Sequence, residues 1–290
     1  MFQKEWNVLL VDDEPDVLSV SRLAMRNFTV YGTPLHIHAA QSKGEAVELL
    51  KTTLLHGSRL SNLAVAFIDV VMETDQAGLE LCQFIREEQK DKLTQLFVRT
   101  GQPGIAPERD VIDRYDINGY FTKVEATEDK LYSLVKSGIR QYYFLSSAFH
   151  LSQLLHRCIA AAGSRERMTQ SMHGYPAEAQ ADATGSRIPG LDLKLWEIVD
   201  GQVIGGVAAG QKAQALDLYQ HLNQLPGTPL NADGDKYVIE GNNLLLKIAA
   251  GPTTAELYFV AAGVFPPPEM IVRLWHQHHR SVAALWKQAK

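Results

Sequence analysis

Short apolar runs of strand length alternate with helix-period segments from residue 7 to about 140. Val8-Leu9-Leu10-Val11 and Leu63-Ala64-Val65-Ala66-Phe67-Ile68 are unbroken apolar stretches, the pattern of strands buried on both faces of a parallel sheet. The alternation predicts strands at about 7–12, 35–40, 63–69, 94–100 and 118–122, with helices at about 15–27, 43–56, 77–89, 106–115 and from 127 onward. Repeated βα units of this kind place helices on both faces of one sheet. Local chemistry agrees: Pro15 suits a first helical turn, and Ser42 with Glu45 forms a capping-box pattern.

The last of these helices has no obvious stop. From Glu128 to about Ala162 there is no proline, and Leu131, Val135, Tyr142, Leu145, Phe149, Leu155 and Ile159 recur at near-heptad steps. An amphipathic helix packed on its own domain would show this pattern. So would a signalling helix that leaves the domain and pairs with a second copy, giving a homodimer through residues 128–162. Residues 163–190 lose the periodicity and read as a linker rich in Ala, Ser, Gly and Gln. Leu191–Val199, Tyr237–Ile239, Asn243–Ala249 and Glu256–Ala261 then read as strands, with turn signals at Asp233-Gly234-Asp235 and Asn242-Asn243 and a closing helix from about Pro268 to Ala289. The expected organisation is an α/β domain over 1–140, a helical extension and linker over 141–190, and a small α+β domain with an antiparallel sheet over 191–290.

Composition narrows the partners. A net charge of -5 with both signs mixed provides no polyanion-binding field, and residues 188–290 carry eight Lys and Arg against nine Asp and Glu, so direct DNA binding is not expected. Two distant cysteines, Cys82 and Cys158, without metal or redox spacing, fit reduced thiols in a cytoplasmic protein. The start of the chain lacks a signal-peptide pattern, and the long apolar stretch around Tyr142 to Ala162 is broken by His150, Gln153, His156 and Arg157, which argues against a membrane span.

The chemistry gathers at strand ends. The first apolar run ends in Asp12-Asp13-Glu14 and the third in Asp69, which would bring carboxylates together at the C-terminal edge of a parallel sheet. The fourth strand ends in Thr100 and the fifth in Lys123. Taken singly, Asp-Asp is a common surface turn, Thr100 a hydroxyl satisfying backbone, Tyr120 a half-buried strand aromatic and Lys123 a surface lysine. Their common register at one sheet edge outweighs those readings. Phosphoryl transfer needs a nucleophile and compensation of charge on the transferring oxygens, which carboxylates holding a hard divalent cation and a lysine together supply.

In this set the sequence resembles the CheY-like receiver domain of bacterial two-component response regulators, with a flavodoxin-like doubly wound fold. The likeness spans roughly residues 5–140 and rests on Val-Leu-Leu-Val-Asp-Asp-Glu-Pro (8–15), Phe-Ile-Asp-Val-Val-Met (67–72), Val-Arg-Thr-Gly (98–101) and Tyr-Phe-Thr-Lys (120–123). The resemblance implies that Asp69 is the phosphoacceptor, that Asp12, Asp13, Asp69 and the backbone carbonyl of Val71 hold Mg²⁺, and that Thr100 and Tyr120 are the switch residues. It also implies a sensor histidine kinase or phosphotransfer protein as phosphodonor. The alternative is a Mg²⁺-dependent aspartyl-phosphate phosphohydrolase of the haloacid dehalogenase kind. Such an enzyme wants an acid two residues after the nucleophile, where Val71 stands.

Several positions depart from the usual receiver. Met72 is followed by Glu73-Thr74-Asp75-Gln76-Ala77-Gly78 rather than proline, Val124 stands where proline usually follows the lysine, and the loop Gly101 to Arg109 is unusual. With Tyr-Asp-Ile-Asn-Gly-Tyr (115–120), these segments look like regulators that carry a central domain of unknown function and often end in an HD-GYP cyclic-di-GMP phosphodiesterase. The HD-GYP domain itself is not matched. His173-Gly174-Tyr175-Pro176 lacks the histidines and acids of a two-metal site, Gly201 to Gly210 reads as turns, and His276, His278 and His279 read as a polar helix face without a carboxylate partner. The expected function is a response regulator, not an enzyme beyond its own phosphorylation and dephosphorylation. Its C-terminal domain would act on an unidentified downstream protein or sense a ligand.

Overall fold

The computed structural model describes residues 5–54, 63–101, 108–172, 192–199, 202–205, 212–240, 243–249, 255–262 and 269–289. The chain separates into two compact units, with the division on the helical stretch between Ser146 and Ser147.

The N-terminal unit contains, in order, β1 (Trp6–Val11), α1 (Pro15–Met25), β2 (Thr29–Val30), β3 (Thr33–Ala40), α2 (Lys43–Leu49), β4 (Leu63–Asp69), α3 (Ala77–Gln83), β5 (Gln95–Thr100), α4 (Glu108–Tyr115), β6 (Gly119–Thr122) and the start of α5 (Glu128–Ala160). Helices α2 and α3 each run on into a π-helical turn, Leu50–Leu54 and Phe84–Glu88. The sheet order is β2-β3-β1-β4-β5-β6, with β3, β1, β4, β5 and β6 mutually parallel. This is the doubly wound, flavodoxin-like sheet expected from the sequence.

One element escaped the hydrophobic pattern. β2 pairs antiparallel with β3 through a two-residue turn, Tyr31-Gly32, with φ of 53° and 77°. Both central residues take the left-handed region that such hairpins require. The predicted helix starts hold. Pro15 occupies the first turn of α1, and Ser42 Oγ accepts from Glu45 N at 3.1 Å, although the Glu45 carboxylate reaches back to Gln41 N at 2.7 Å rather than to the cap residue. The described peptide bonds are all trans, Lys123–Val124 included.

Both sheet faces are covered. Leu9, Val11, Ile68, Leu96 and Val98 pack toward α2, α3 and α4, whereas Val8, Leu10, Phe67, Phe97 and Phe121 pack with Leu131, Val135, Ile139 and Tyr142 of α5. Gly138 lets α5 lie against the sheet, since a β-carbon there would stand 2.8 Å from Val65 Cγ2. The first half of the near-heptad series therefore serves the core of its own unit. Further along, Leu151, Leu154 and Cys158 are buried, while Leu145, Phe149 and Ile159 remain exposed.

The second unit continues from α5 into α6 (165–172), which lies in a segment that reads as linker from composition; Met168 and Met172 are fully buried there. Then come β7 (Asp192–Val199), β8 (Gln202–Gly205), α7 (Lys212–Gln224), β9 (Thr228–Pro229), β10 (Lys236–Glu240), β11 (Asn243–Ala249), β12 (Ala255–Ala262) and α8 (Glu269–Gln288). The sheet is antiparallel throughout, ordered β8-β7-β12-β11-β10-β9, and α8 packs on β11. Gln202–Gly205, read as turn from its glycines, is an edge strand on β7, and α7 has too weak an apolar period to be predicted. His173 to Pro176 and most of the Gly101 to Arg109 loop lie outside the described residues. None of the described helices is long and apolar enough to cross a membrane.

Candidate phosphoacceptor and cation site

Each candidate group arrives from a different strand end. Asp12 follows β1 and its backbone N–H donates to the Ala40 carbonyl at 3.2 Å, which holds it in line with β3. Its Oδ1 accepts from Glu14 N at 3.0 Å, a local side-chain turn that ends the strand and hands the chain to α1 at Pro15. Asp69 is the last residue of β4, and the next N–H, of Val70, donates to the Arg99 carbonyl at 3.1 Å. Lys123 follows β6 in a 3₁₀ turn, where Glu125 accepts from both Thr122 N and Thr122 Oγ1 at 2.7 Å.

These ends converge. Lys123 Nζ lies 2.8 Å from Asp69 Oδ2, 3.1 Å from Asp12 Oδ2 and 2.6 Å from Glu14 Oε1. Ligand oxygens of Asp12, Asp13 and Asp69 lie within 4.8 Å of one another. Asp12 and Asp69 are buried and Asp13 is exposed, so the acids sit at a mouth open on one side. Asp69 Oδ1 is buried without a hydrogen-bond partner, whereas Asp12 Oδ2 is ion-paired with Lys123 and Arg99. An all-oxygen donor set with such a buried acceptor fits a hard divalent cation, which would satisfy an oxygen that is costly to leave unpaired.

Burial holds the Asp69 carboxyl above its ordinary pKa, against the pull of Lys123, and Asp12 pushes in the same direction as burial. Burial disfavours the Lys123 ammonium, yet its contacts with Asp69, Glu14 and Asp12 leave it more firmly protonated than an ordinary lysine. The exposed Glu14 carboxyl is lowered by its hydrogen bond to Lys123. Lys123 is thus a fixed positive charge shared by three carboxylates.

Thr100 ends β5 fully buried, one strand over from Asp69, whose own register partner is Arg99. Tyr120 is half-buried on β6, pairs in register with Val98 and packs against the α2–α4 side of the core. Val71 lies in the turn two residues beyond Asp69, partly buried against the same core.

Two participants were not assigned a role from sequence. Glu14 contacts Lys123 directly, although its place before Pro15 marks it only as a helix-start residue. Arg99 is fully buried; its Nη2 is 3.0 Å from Asp12 Oδ2 and its Nη1 donates to Ser21 Oγ on α1 at 2.9 Å. A charged residue inside the apolar strand Leu96-Phe97-Val98-Arg99 is the signal that could have found it, since such a charge needs a buried partner.

In the second unit, the α8 histidines are not a polar face. His276, His278 and His279 are buried, and His276 Nε2 lies 2.7 Å from Oδ2 of buried Asp235, a carboxylate partner supplied from the turn before β10. That turn is held by Asn231 Oδ1, which accepts from Asp233 N and Asp235 N at 3.0 Å each.

The N-terminal unit is thus a doubly wound, flavodoxin-like sheet with Asp12, Asp13, Asp69, Thr100 and Lys123 at the C-terminal ends of its parallel strands. No family model matches the chain. The chain is 41% identical over 173 residues to a 3'3'-cGAMP-specific phosphodiesterase 2 of Vibrio cholerae, an alignment covering 60% of this chain and 32% of that protein. It therefore spans about a third of the length of that curated relative. Among solved structures, the signal receiver domain of an HD domain-containing protein from Pseudomonas fluorescens Pf-5 aligns at 16% identity and a TM-score of 0.40, covering 48% of this chain and 98% of that one. A response regulator receiver protein from Pseudomonas putida aligns at 20% identity and a TM-score of 0.36, covering 46% and 97%.

Proposed function

We propose that the chain is a two-component response regulator whose Asp69 accepts a phosphoryl group from a sensor histidine kinase or phosphotransfer protein. The observation that carries this reading is Lys123 Nζ at 2.8 Å from Asp69 Oδ2, beside acids whose ligand oxygens lie within 4.8 Å of one another. Asp12, Asp13, Asp69 and the Val71 carbonyl would hold Mg²⁺, which when bound offsets charge on the transferring oxygens. A carboxylate oxygen of Asp69 attacks phosphorus, a P–O bond forms, the P–N bond of a phosphohistidine donor breaks, and the imidazole leaves. Lys123 stays protonated and stabilises the incoming oxygens. Thr100 then supplies a hydroxyl to the phosphoryl group and Tyr120 responds to the changed loop, which biases the surface of the unit between two states.

The hydrolase reading is weaker, because the position two residues after Asp69 is Val71, which has no proton to give a leaving group. The second unit is read as an output or sensory module acting through protein contacts. The exposed Leu145, Phe149 and Ile159 of α5 support a homodimer through that helix. The likeness to a Vibrio cholerae cGAMP phosphodiesterase favours a cyclic-dinucleotide hydrolase as the activity that such a switch governs.

The test is incubation with Mg²⁺ and acetyl phosphate, followed by intact mass, for the wild type and Asp69→Ala. One phosphoryl adduct in the wild type and none in the variant is expected. Absence of a metal-dependent adduct in the wild type overturns the reading. Sedimentation with and without beryllofluoride tests the homodimer, which is discarded if the two states sediment alike.

A further inference from the structure

We propose that Arg99 is a built-in competitor for the divalent cation: its guanidinium lies within ion-pair distance of Asp12 Oδ2, an oxygen that it must yield when the cation binds. This inference rests on the receiver reading of Asp12 and Asp69. Arg99 is fully buried, so its charge has no recourse to water and is set by the partners that face it. Those partners are of two kinds. Nη2 stands 3.0 Å from Asp12 Oδ2 in a buried ion pair, and Nη1 makes a 2.9 Å hydrogen bond to the neutral Ser21 Oγ.

The guanidinium is therefore shared between α1 and the acid. The acid's oxygen is one that a cation would take, and a guanidinium within ion-pair distance of it opposes a divalent ion by direct repulsion. Formal charge points the same way. Asp12, Asp13, Glu14 and Asp69 oppose Lys123 and Arg99, so one divalent ion neutralises the group, and without Arg99 an uncompensated negative charge would remain to attract it. The same charge that weakens cation binding favours arrival of an anionic phosphoryl group at Asp69. Arg99 thus adjusts the site toward a filled state in which cation and phosphoryl group are held together. Ser21 connects that adjustment to α1.

The two holds give opposite expectations. Removing the charge with Arg99→Gln should tighten Mn²⁺ binding on the order of tenfold. Arg99→Lys, which keeps a charge, should stay near the wild type. Ser21→Ala frees the guanidinium to stay with Asp12 and should weaken Mn²⁺ binding by about threefold. Free Mn²⁺ is counted by electron paramagnetic resonance on the full chain, with near-ultraviolet circular dichroism reporting the fold of each variant. If Arg99→Gln does not fold, Ser21→Ala alone decides the matter. Unchanged or weaker binding in a folded Arg99→Gln, or unchanged or tighter binding in Ser21→Ala, overturns the role of Arg99. A phosphoryl adduct on wild-type Asp69 in the same preparation shows that only this inference has failed. A wild type that takes neither Mn²⁺ nor phosphate overturns the receiver reading and this inference with it.

Discussion

Gly78 stands so close to Asp69 that a β-carbon on it would lie 1.7 Å from the Asp69 carbonyl oxygen and 2.7 Å from the carbonyl carbon. The first turn of α3 is thereby pressed against the backbone of the proposed phosphoacceptor, and Gly78 N–H donates to the Val70 carbonyl at 3.1 Å. In an exposed helix, glycine to alanine stabilises by about 1 kcal/mol. Here the sign reverses, because backbone cannot move aside as a flexible side chain can. Gly78→Ala is expected to cost about 3 kcal/mol or more, through displacement of α3 from β4. Urea unfolding measures it, and a variant as stable as the wild type would show that the contact is absent in solution.

Lys123 touches Asp69, Asp12 and Glu14 at once, so replacing it removes a cation in direct contact with all three. Lys123→Gln retains some donor capacity but no charge. The rate of adduct formation from acetyl phosphate should fall by about 10²–10³-fold, the usual loss when a preorganised charge-stabilising group is deleted. A mass-spectrometric time course reads it. A rate within a few-fold of the wild type would mean that Lys123 is structural only.

Arg86 gives a contrasting case, a buried cation with no part in the proposed chemistry. On the π-helical turn after α3, its Nε donates to the Asp116 carbonyl at 3.0 Å, Nη1 to the Asp91 carbonyl at 2.9 Å and Nη2 to the Thr94 carbonyl at 2.9 Å. It ties the segment before β5 to the turn before β6. Arg86→Met removes the donors that reach these three carbonyls from one guanidinium and is expected to cost about 3–5 kcal/mol. At low temperature, where the variant stays folded, Asp69 should still be phosphorylated at nearly the wild-type rate. Loss of phosphorylation in a folded Arg86→Met protein would contradict this separation of stability from chemistry.

The N-terminal sheet was legible because its strands are buried on both faces, so β1 and β4 appear as unbroken apolar runs that end in acid. Asp12, Asp69, Thr100 and Lys123 follow from those ends, since the last residue of a parallel strand must lie at the sheet edge. Arg99 was hidden because its partners, Asp12 and Ser21, are distant in sequence and only packing brings them to it. The second unit was harder for a related reason. β8 and β9 are short edge strands, α7 carries polar residues through its period, and His276 finds Asp235 only when α8 folds back toward the turn before β10.

Burial in the second unit has a consequence for pH. It lowers the pKa of His278 to about 4 and of His150 to about 3, and holds His279 well below the ordinary value. The folded unit therefore leaves these rings neutral where an unfolded chain, titrating near pH 6.5, takes up protons. Because the unfolded state binds more protons below that pH, acidification from about 6.5 toward 4 removes stability, at about 1.4 kcal/mol per pH unit for each ring kept neutral. Above pH 7 neither state is protonated and the dependence vanishes. Trp275 and Trp286, buried on the same helix, report unfolding by fluorescence. Urea midpoints at pH 7.5, 6.5 and 5.5 should be flat over the first interval and fall over the second. His278→Gln should reduce that fall by roughly a third, since one of three titrating rings is gone. Equal midpoints at pH 6.5 and 5.5 would mean that these histidines are protonated within the fold.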